Sequence, residues 1–245
     1  MDLIGFQNPS GLLVNSKNIQ MKKTVLALSL ILIGAINSNA QKKSNFEGVV
    51  TYSISFEGSG LPPEALAMFK GSETITYIKS DKCRVDMNMP TQSSSFIMDN
   101  KNKNIVSLMD IMGKKFLIKM DASDIKKEQE TTPETAIKYT DETKTIAGYK
   151  CKKAVVTIKN GEGKVMDVYY TEEIPTNDIK PVYKGLKGFP LEYSVNQGGM
   201  EMKFTAKNVS KVSVADSKFE IPTEGYTVTT IDGPQKAMTQ EMGGK

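Results

Sequence analysis

The chain has 245 residues, with 32 lysines and arginines against 28 aspartates and glutamates, two cysteines, and neither histidine nor tryptophan. Without histidine there are no His-dependent catalytic triads, no His-ligated zinc or copper sites and no usual general base near neutral pH. A net charge of +4 with a single arginine, Arg84, gives little drive toward nucleic acid and almost none of the bidentate forks that read bases and phosphates.

Residues 1–20 lack periodicity and read as a mis-called upstream extension. The segment 21–40 then has the form of a signal peptide. Lys22 and Lys23 supply its positive start, Val25 to Ile36 an apolar run of 12 residues, and Ser38-Asn39-Ala40 the small residues of a cleavage site. A bilayer span takes about 20 apolar residues, so this run is expected to be removed rather than kept as an anchor. The expected product starts at Gln41 and loses Lys17, Lys22, Lys23 and Asp2, leaving 29 basic and 27 acidic residues and a net charge of +2. It is expected to fold as one β-rich domain, 41–232, followed by a flexible tail, 233–245.

From Phe46 onward the apolar residues recur at every second position, the period of a half-buried strand. Val50, Tyr52, Ile54 and Phe56 alternate with Thr51, Ser53, Ser55 and Glu57. The segment Pro62 to Phe69 starts with two prolines and stops at Gly71, which predicts a short helix. Cys83, Val85, Met87 and Met89 continue the strand pattern, as do Phe116, Ile118 and Met120. Asp121 to Glu130 reads as either a second, polar helix or a loop. Two further strands carry Leu191, Tyr193 and Val195, then Met200, Met202, Phe204 and Ala206. Turn residues separate these runs at Asp99-Asn100-Lys101-Asn102, Ala147-Gly148, Asn160-Gly161-Glu162-Gly163 and Gln197-Gly198-Gly199. The expected fold is mainly β: an antiparallel meander of about 9–11 strands forming a half-open barrel with one short helix at its mouth.

Several stretches resemble a family of secreted proteins from gram-negative cell envelopes, known as a domain of unknown function and related to the GLPGLI family. They include Phe46-Glu47-Gly48, Gly60 to Ala65, Met109 to Gly113, Glu142 to Ala154 with its Gly148-Tyr149-Lys150-Cys151 core, and Gly185 to Glu192. The resemblance implies a LolA-like unclosed barrel and no established activity.

Cys83 and Cys151 are the only cysteines. An oxidising compartment allows a disulfide that closes a loop of 68 residues and stabilises by roughly 4 kcal/mol on the chain-entropy model. The alternative is two buried thiols, and neither reads as a nucleophile. Met87/Met89 and Met200/Met202 are i, i+2 pairs, each on one strand face. They fit a packed core, the lining of a groove for greasy ligands, or a soft Cu(I) or Ag(I) site. Tyr169, Tyr170, Tyr183 and Tyr193 read as half-buried packing or a groove rim, and the runs Lys126-Lys127 and Lys150-Lys152-Lys153 as guards against edge pairing or as contacts to anionic lipid.

The leading expectation is an exported soluble module, periplasmic or secreted and monomeric, that binds a hydrophobic small molecule or a lipidated protein. Met68, Met87, Met89, Met200, Met202 and Phe204 are its candidate lining. No catalysis, cofactor, resident metal or nucleic acid is expected. The rivals are a structural or interaction protein of the envelope with no ligand, and a methionine-based Cu(I)/Ag(I) binder.

Overall fold

The computed structural model describes residues 46–57, 62–90, 92–131, 134–159, 165–174, 185–197, 200–222, 224–234 and 236–237. The extension and signal peptide assigned to 1–40 lie outside them, as does Tyr183.

Two antiparallel meanders make one sheet. The first is β1 (Glu47–Glu57), β2 (Glu73–Lys79), β3 (Lys82–Met89), β4 (Gln92–Asp99), β5 (Asn104–Ile111) and β6 (Lys114–Met120). The second is β7 (Thr135–Ile146), β8 (Tyr149–Ile158), β9 (Val165–Thr171), β10 (Phe189–Gln197) and β11 (Met200–Ser210). A three-residue strand, β12 (Thr227–Thr229), adds to β6 in parallel. The order across the sheet is β12-β6-β5-β4-β3-β2-β1-β11-β10-β9-β8-β7. Pairing of β1 with β11 therefore joins the first and last long strands, and the sheet is not closed into a barrel. The half-open β architecture is as expected, with one strand more, because β12 is too short and too dependent on β6 to show a local pattern.

Local chemistry explains the bends. Met112-Gly113 and Ala147-Gly148 each place two consecutive residues at positive φ, the backbone of a hairpin turn whose twist matches its strands. Register shifts at Thr51/Tyr52, between Tyr139 and Thr143, and between Pro190 and Glu192 mark bulges that sharpen the curl. Gly188 is required by close approach: a Cβ there would stand 2.5 Å from the Thr171 carbonyl oxygen.

Among the described residues two α-helices accompany the sheet, α1 (Pro63–Ala67) and α2 (Ala122–Thr131), so the segment weighed as helix or loop is a helix. Asp121 caps it. Its carboxylate accepts from the backbone N–H groups of Ser123 at 2.7 Å and Asp124 at 3.1 Å, while Asp124 accepts in return from the Asp121 N–H. The Ser123 hydroxyl, which donates to the same carboxylate at 2.7 Å, and then these backbone bonds hold the Asp121 carboxyl below the usual carboxylate range. Ile125 anchors α2 to β5 and β6.

On the outer face, the segment after β11 crosses back over β2 to β6, burying Val214 and Phe219 against Ile97, Val106, Leu108 and Leu117. Arg84 clamps it. Its guanidinium donates to Asp86 at 2.6 Å, to the Lys218 carbonyl at 2.9 Å and to Ser95 at 3.1 Å. Glu47 accepts from the Val214 N–H at 2.7 Å, and Lys79 donates to the Val214 carbonyl at 2.9 Å. Within the segment expected as tail, Pro234 is fully buried and Ala237 packs against the β5–β6 cluster. No helix among the described residues is long and apolar enough to cross a membrane.

Candidate functional site

Strand alternation and register decide what faces inward. Across β1 to β5 the inward side chains are Val50, Tyr52, Ile54 and Phe56; Thr74, Thr76 and Ile78; Cys83, Val85 and Met87; Ser94, Phe96 and Met98; Ile105, Ser107 and Met109. None of these positions carries a charge. On that face the first charged position is Lys114, paired with Ile111 at the start of β6.

Apolar packing on this face is broken into three clusters. The largest joins β1 and β7 to β11, with Ile78 and Met87 at its margin. A small one holds Cys83, Val85 and Phe96. A third joins β5, β6 and α2, and meets the second at Met98. Hydroxyls stand at the seams: Thr74 and Thr76 on β2, Ser94 on β4 and Ser107 on β5, all buried. Thr74 Oγ1 and Ser107 Oγ have no hydrogen-bond partner. An unpaired buried hydroxyl costs on the order of 1–3 kcal/mol, so native interiors hold few of them.

The methionines and Phe204 singled out from sequence are placed unevenly. Met87, Met202 and Phe204 are only 2%, 1% and 3% exposed, within the largest cluster. Phe204 stacks on Tyr193 with ring centroids 4.8 Å apart, and Tyr193 meets Tyr52 edge-on at 5.9 Å. Met89 is half-buried against the same cluster, whereas Met68 is 60% exposed in the turn after α1. That turn is fixed by Phe69 against Phe56, centroids 4.5 Å apart. Met200 begins β11, and its side chain lies outside those described. The topology nonetheless gathers them. The ends of β1, β3, β5, β8 and β10 and the starts of β2, β4, β6, β7, β9 and β11 form one end of the sheet. Eight of the twelve methionines after Gln41 occupy its strand ends and turns: Met68, Met87, Met89, Met109, Met112, Met166, Met200 and Met202. Among the described residues, Met68, Met112 and Val165 are large apolar side chains exposed at this end.

The Cys83–Cys151 disulfide is not formed. Both are free, buried thiols, one in the small cluster with Val85 and Phe96 and the other in the large one. Burial pushes the Cys83 thiol up to about 12 and that of Cys151 to about 11, so neither is an activated nucleophile at neutral pH.

The lysines assigned to edge protection serve otherwise. β8 lies inside the sheet, between β7 and β9, and its Lys152 and Lys153 form ion pairs. Lys152 pairs with Glu172 at 3.1 Å, and Lys153 with Asp167 at 2.7 Å and Glu142 at 3.1 Å. Tyr169 donates to Glu142 on the outer face, and the buried Glu192 carboxylate accepts from Lys144 through both oxygens, at 2.9 and 2.8 Å. Five tyrosines outside the deepest packing, Tyr77, Tyr139, Tyr149, Tyr169 and Tyr226, each have a lysine ammonium over the ring at 4.8 to 5.9 Å. Among the described residues no group of three or more His, Cys, Asp or Glu is placed to hold a metal ion.

Sequence reasoning missed the inward hydroxyls. Ser93-Ser94-Ser95 offers no contrast between faces, and only the register with Met87 and Met109 shows which serine points in.

Comparison with known proteins adds a family. No curated protein matches the chain. Among solved structures it is similar to PNGF-II, at 18% identity over 80% of this chain and 34% of that one, TM-score 0.49. It is also similar to MucB, at 11% identity over 84% of this chain and 66% of that one, TM-score 0.36. A third is a β-barrel-like protein of a domain of unknown function from Brucella abortus, at 6% identity over 70% of this chain and all of that one, TM-score 0.35. The chain spans about a third of the length of PNGF-II. The model of the N-glycanase peptide N-terminal domain family matches residues 50–229, and the chain belongs to that family.

Proposed function

We propose that the protein is an exported, non-catalytic binding module of the cell envelope that holds a hydrophobic ligand against the inward face of its open sheet. The observation that carries this reading is an inward face that is uncharged from β1 to β5 and whose apolar clusters are divided by buried hydroxyls, two of them without partners. The sheet is not sealed by strand pairing between its β12 and β7 edges, which leaves a side from which a ligand can enter. The exposed Met68 and Met112 at the methionine-rich end supply a pliable apolar entrance. Each 100 Å² of apolar surface a ligand buries there contributes roughly 2.5 kcal/mol. Export by the signal peptide and kinship with the GLPGLI family and LolA-like carriers belong to the same proposal.

A second reading is favoured by the tight burial of Met87, Met202 and Phe204, which makes that half of the inward face core. The protein would then be an interaction module that docks onto another envelope protein and takes no ligand. One experiment separates the two. The protein is stripped of lipid by unfolding and refolding, then titrated with a fluorescent acyl lipid. Saturable uptake with a blue-shifted emission supports the binding module. No uptake from any envelope lipid extract leaves the docking reading.

A further inference from the structure

The inward strip says what kind of hydrophobic ligand fits, an inference that rests on the proposed binding function. Thr74 and Ser107 are 1% and 3% exposed, and neither hydroxyl has a partner. In register, Thr74 is flanked by Tyr52 and Met87, and Ser107 by Phe96 and Ile118. These neighbours are themselves 1–4% exposed, so a hydrocarbon chain enters by parting them and then gains dispersion contact and buried apolar area. They leave the hydroxyls to a polar group that the ligand brings.

The charge pattern narrows that group. No inward position from β1 to β5 is charged, so a carboxylate, phosphate or ammonium seated there has no counter-ion, and burying an unpaired charge is far costlier than burying a neutral dipole. A neutral carbonyl has no such penalty and accepts a hydroxyl hydrogen bond. Thr74 and Ser107 are three strand spacings apart, about 14 Å across the sheet, so they engage separate carbonyls.

We infer that the strip between β2 and β5 takes neutral acyl esters, with ester carbonyl oxygens accepting hydrogen bonds from Thr74 Oγ1 and Ser107 Oγ. Any ionised headgroup stays outside this strip.

The test uses the purified protein loaded with the neutral fluorophore N-phenyl-1-naphthylamine and displaced by methyl laurate, tridecane or laurate ion at pH 8. Methyl laurate is expected to displace the fluorophore at roughly 3- to 10-fold lower concentration than tridecane, the range one neutral hydrogen bond gives. Laurate ion is expected to be the weakest. Thr74→Val with Ser107→Ala removes the preference for the ester without lowering the urea midpoint, because it deletes hydroxyls that have no partner. Either single substitution, which changes less of the interior, halves the preference if the double variant folds poorly. As a second readout, carbonyl-labelled methyl laurate shows a lowered C=O stretching frequency when bound to the wild type and a free-ester frequency on the variant. Equal displacement by ester and alkane, equal displacement by laurate ion, or a preference that survives both substitutions overturns the ester assignment and leaves an unspecific apolar groove. A fluorophore that never binds, with no uptake of any of the three, overturns the binding function itself.

Discussion

Met202→Ala and Met68→Ala remove the same atoms from two methionines of the proposed ligand end, and the structure predicts opposite consequences. Met202 is 1% exposed and sits in register between Phe56 on β1 and Val195 on β10, inside the largest apolar cluster. Its truncation removes buried methylene, sulfur and methyl groups and leaves a cavity that β-sheet backbone on both sides keeps from collapsing. Substitutions of this kind cost about 2–5 kcal/mol, and a site this enclosed belongs near 3 kcal/mol. For a domain of this size, with about 3 °C lost per kcal/mol, the melting temperature falls by roughly 9 °C. Met68 is 60% exposed after α1, and its truncation changes stability by less than about 0.5 kcal/mol. Circular dichroism followed through thermal and urea unfolding of both variants measures the contrast. A Met202→Ala loss below about 1 kcal/mol refutes the reasoning, because it places that side chain on the free wall of a groove rather than in packed core.

Three further outcomes follow from particular contacts. Gly188→Ala drives a methyl group against the Thr171 carbonyl and the Tyr170 ring, each 2.5 Å away, and the strand shift this demands costs about 1–3 kcal/mol; an unchanged urea midpoint contradicts it. Arg84→Ala frees the segment holding Val214 and Phe219 from its clamp, costs about 1.5–3 kcal/mol, and opens residues 211–226 to limited proteolysis; cleavage no faster than in wild type counts against the clamp. The thiols give a pH dependence. Cys83 and Cys151 titrate near 12 and 11 when folded against an ordinary value of 9, so above pH 9 the unfolded chain releases protons that the folded chain keeps. Their contribution is complete below pH 9 and is lost as pH rises through 11 to 12. Wild type therefore loses stability between pH 8 and 10.5 more steeply than the Cys83→Ala, Cys151→Ala double variant. Rapid thiol labelling of the native protein at pH 8 shows instead that the thiols are open to solvent.

Much of this fold is legible in the sequence because alternation is local. Val50 to Phe56, Cys83 to Met89 and Met200 to Ala206 each state their own inward face. What failed was non-local. β7 carries charged residues along Asp141, Glu142 and Lys144 and is an outermost strand, so its polar composition concealed it and the lysines of β8 were given its edge-guarding part. β12 has three residues and exists only through β6. The segment over β2 to β6 depends on Arg84 reaching 134 positions along the chain to Lys218, a contact that no window of sequence reveals. The candidate site divides the same way. The methionine pairs at i, i+2 place Met87 and Met202 on the inward face, but burial separates these packed side chains from the exposed Met68, and the partnerless hydroxyls emerge only once register sets them among apolar neighbours.

The most direct test of a ligand-completed inward face is native mass spectrometry of the protein purified without detergent from cells that make it. A population heavier than the polypeptide by the mass of a neutral acyl ester is expected, lost on Thr74→Val with Ser107→Ala. A spectrum of bare polypeptide alone, in a protein that also takes up no acyl ester when one is added, contradicts it.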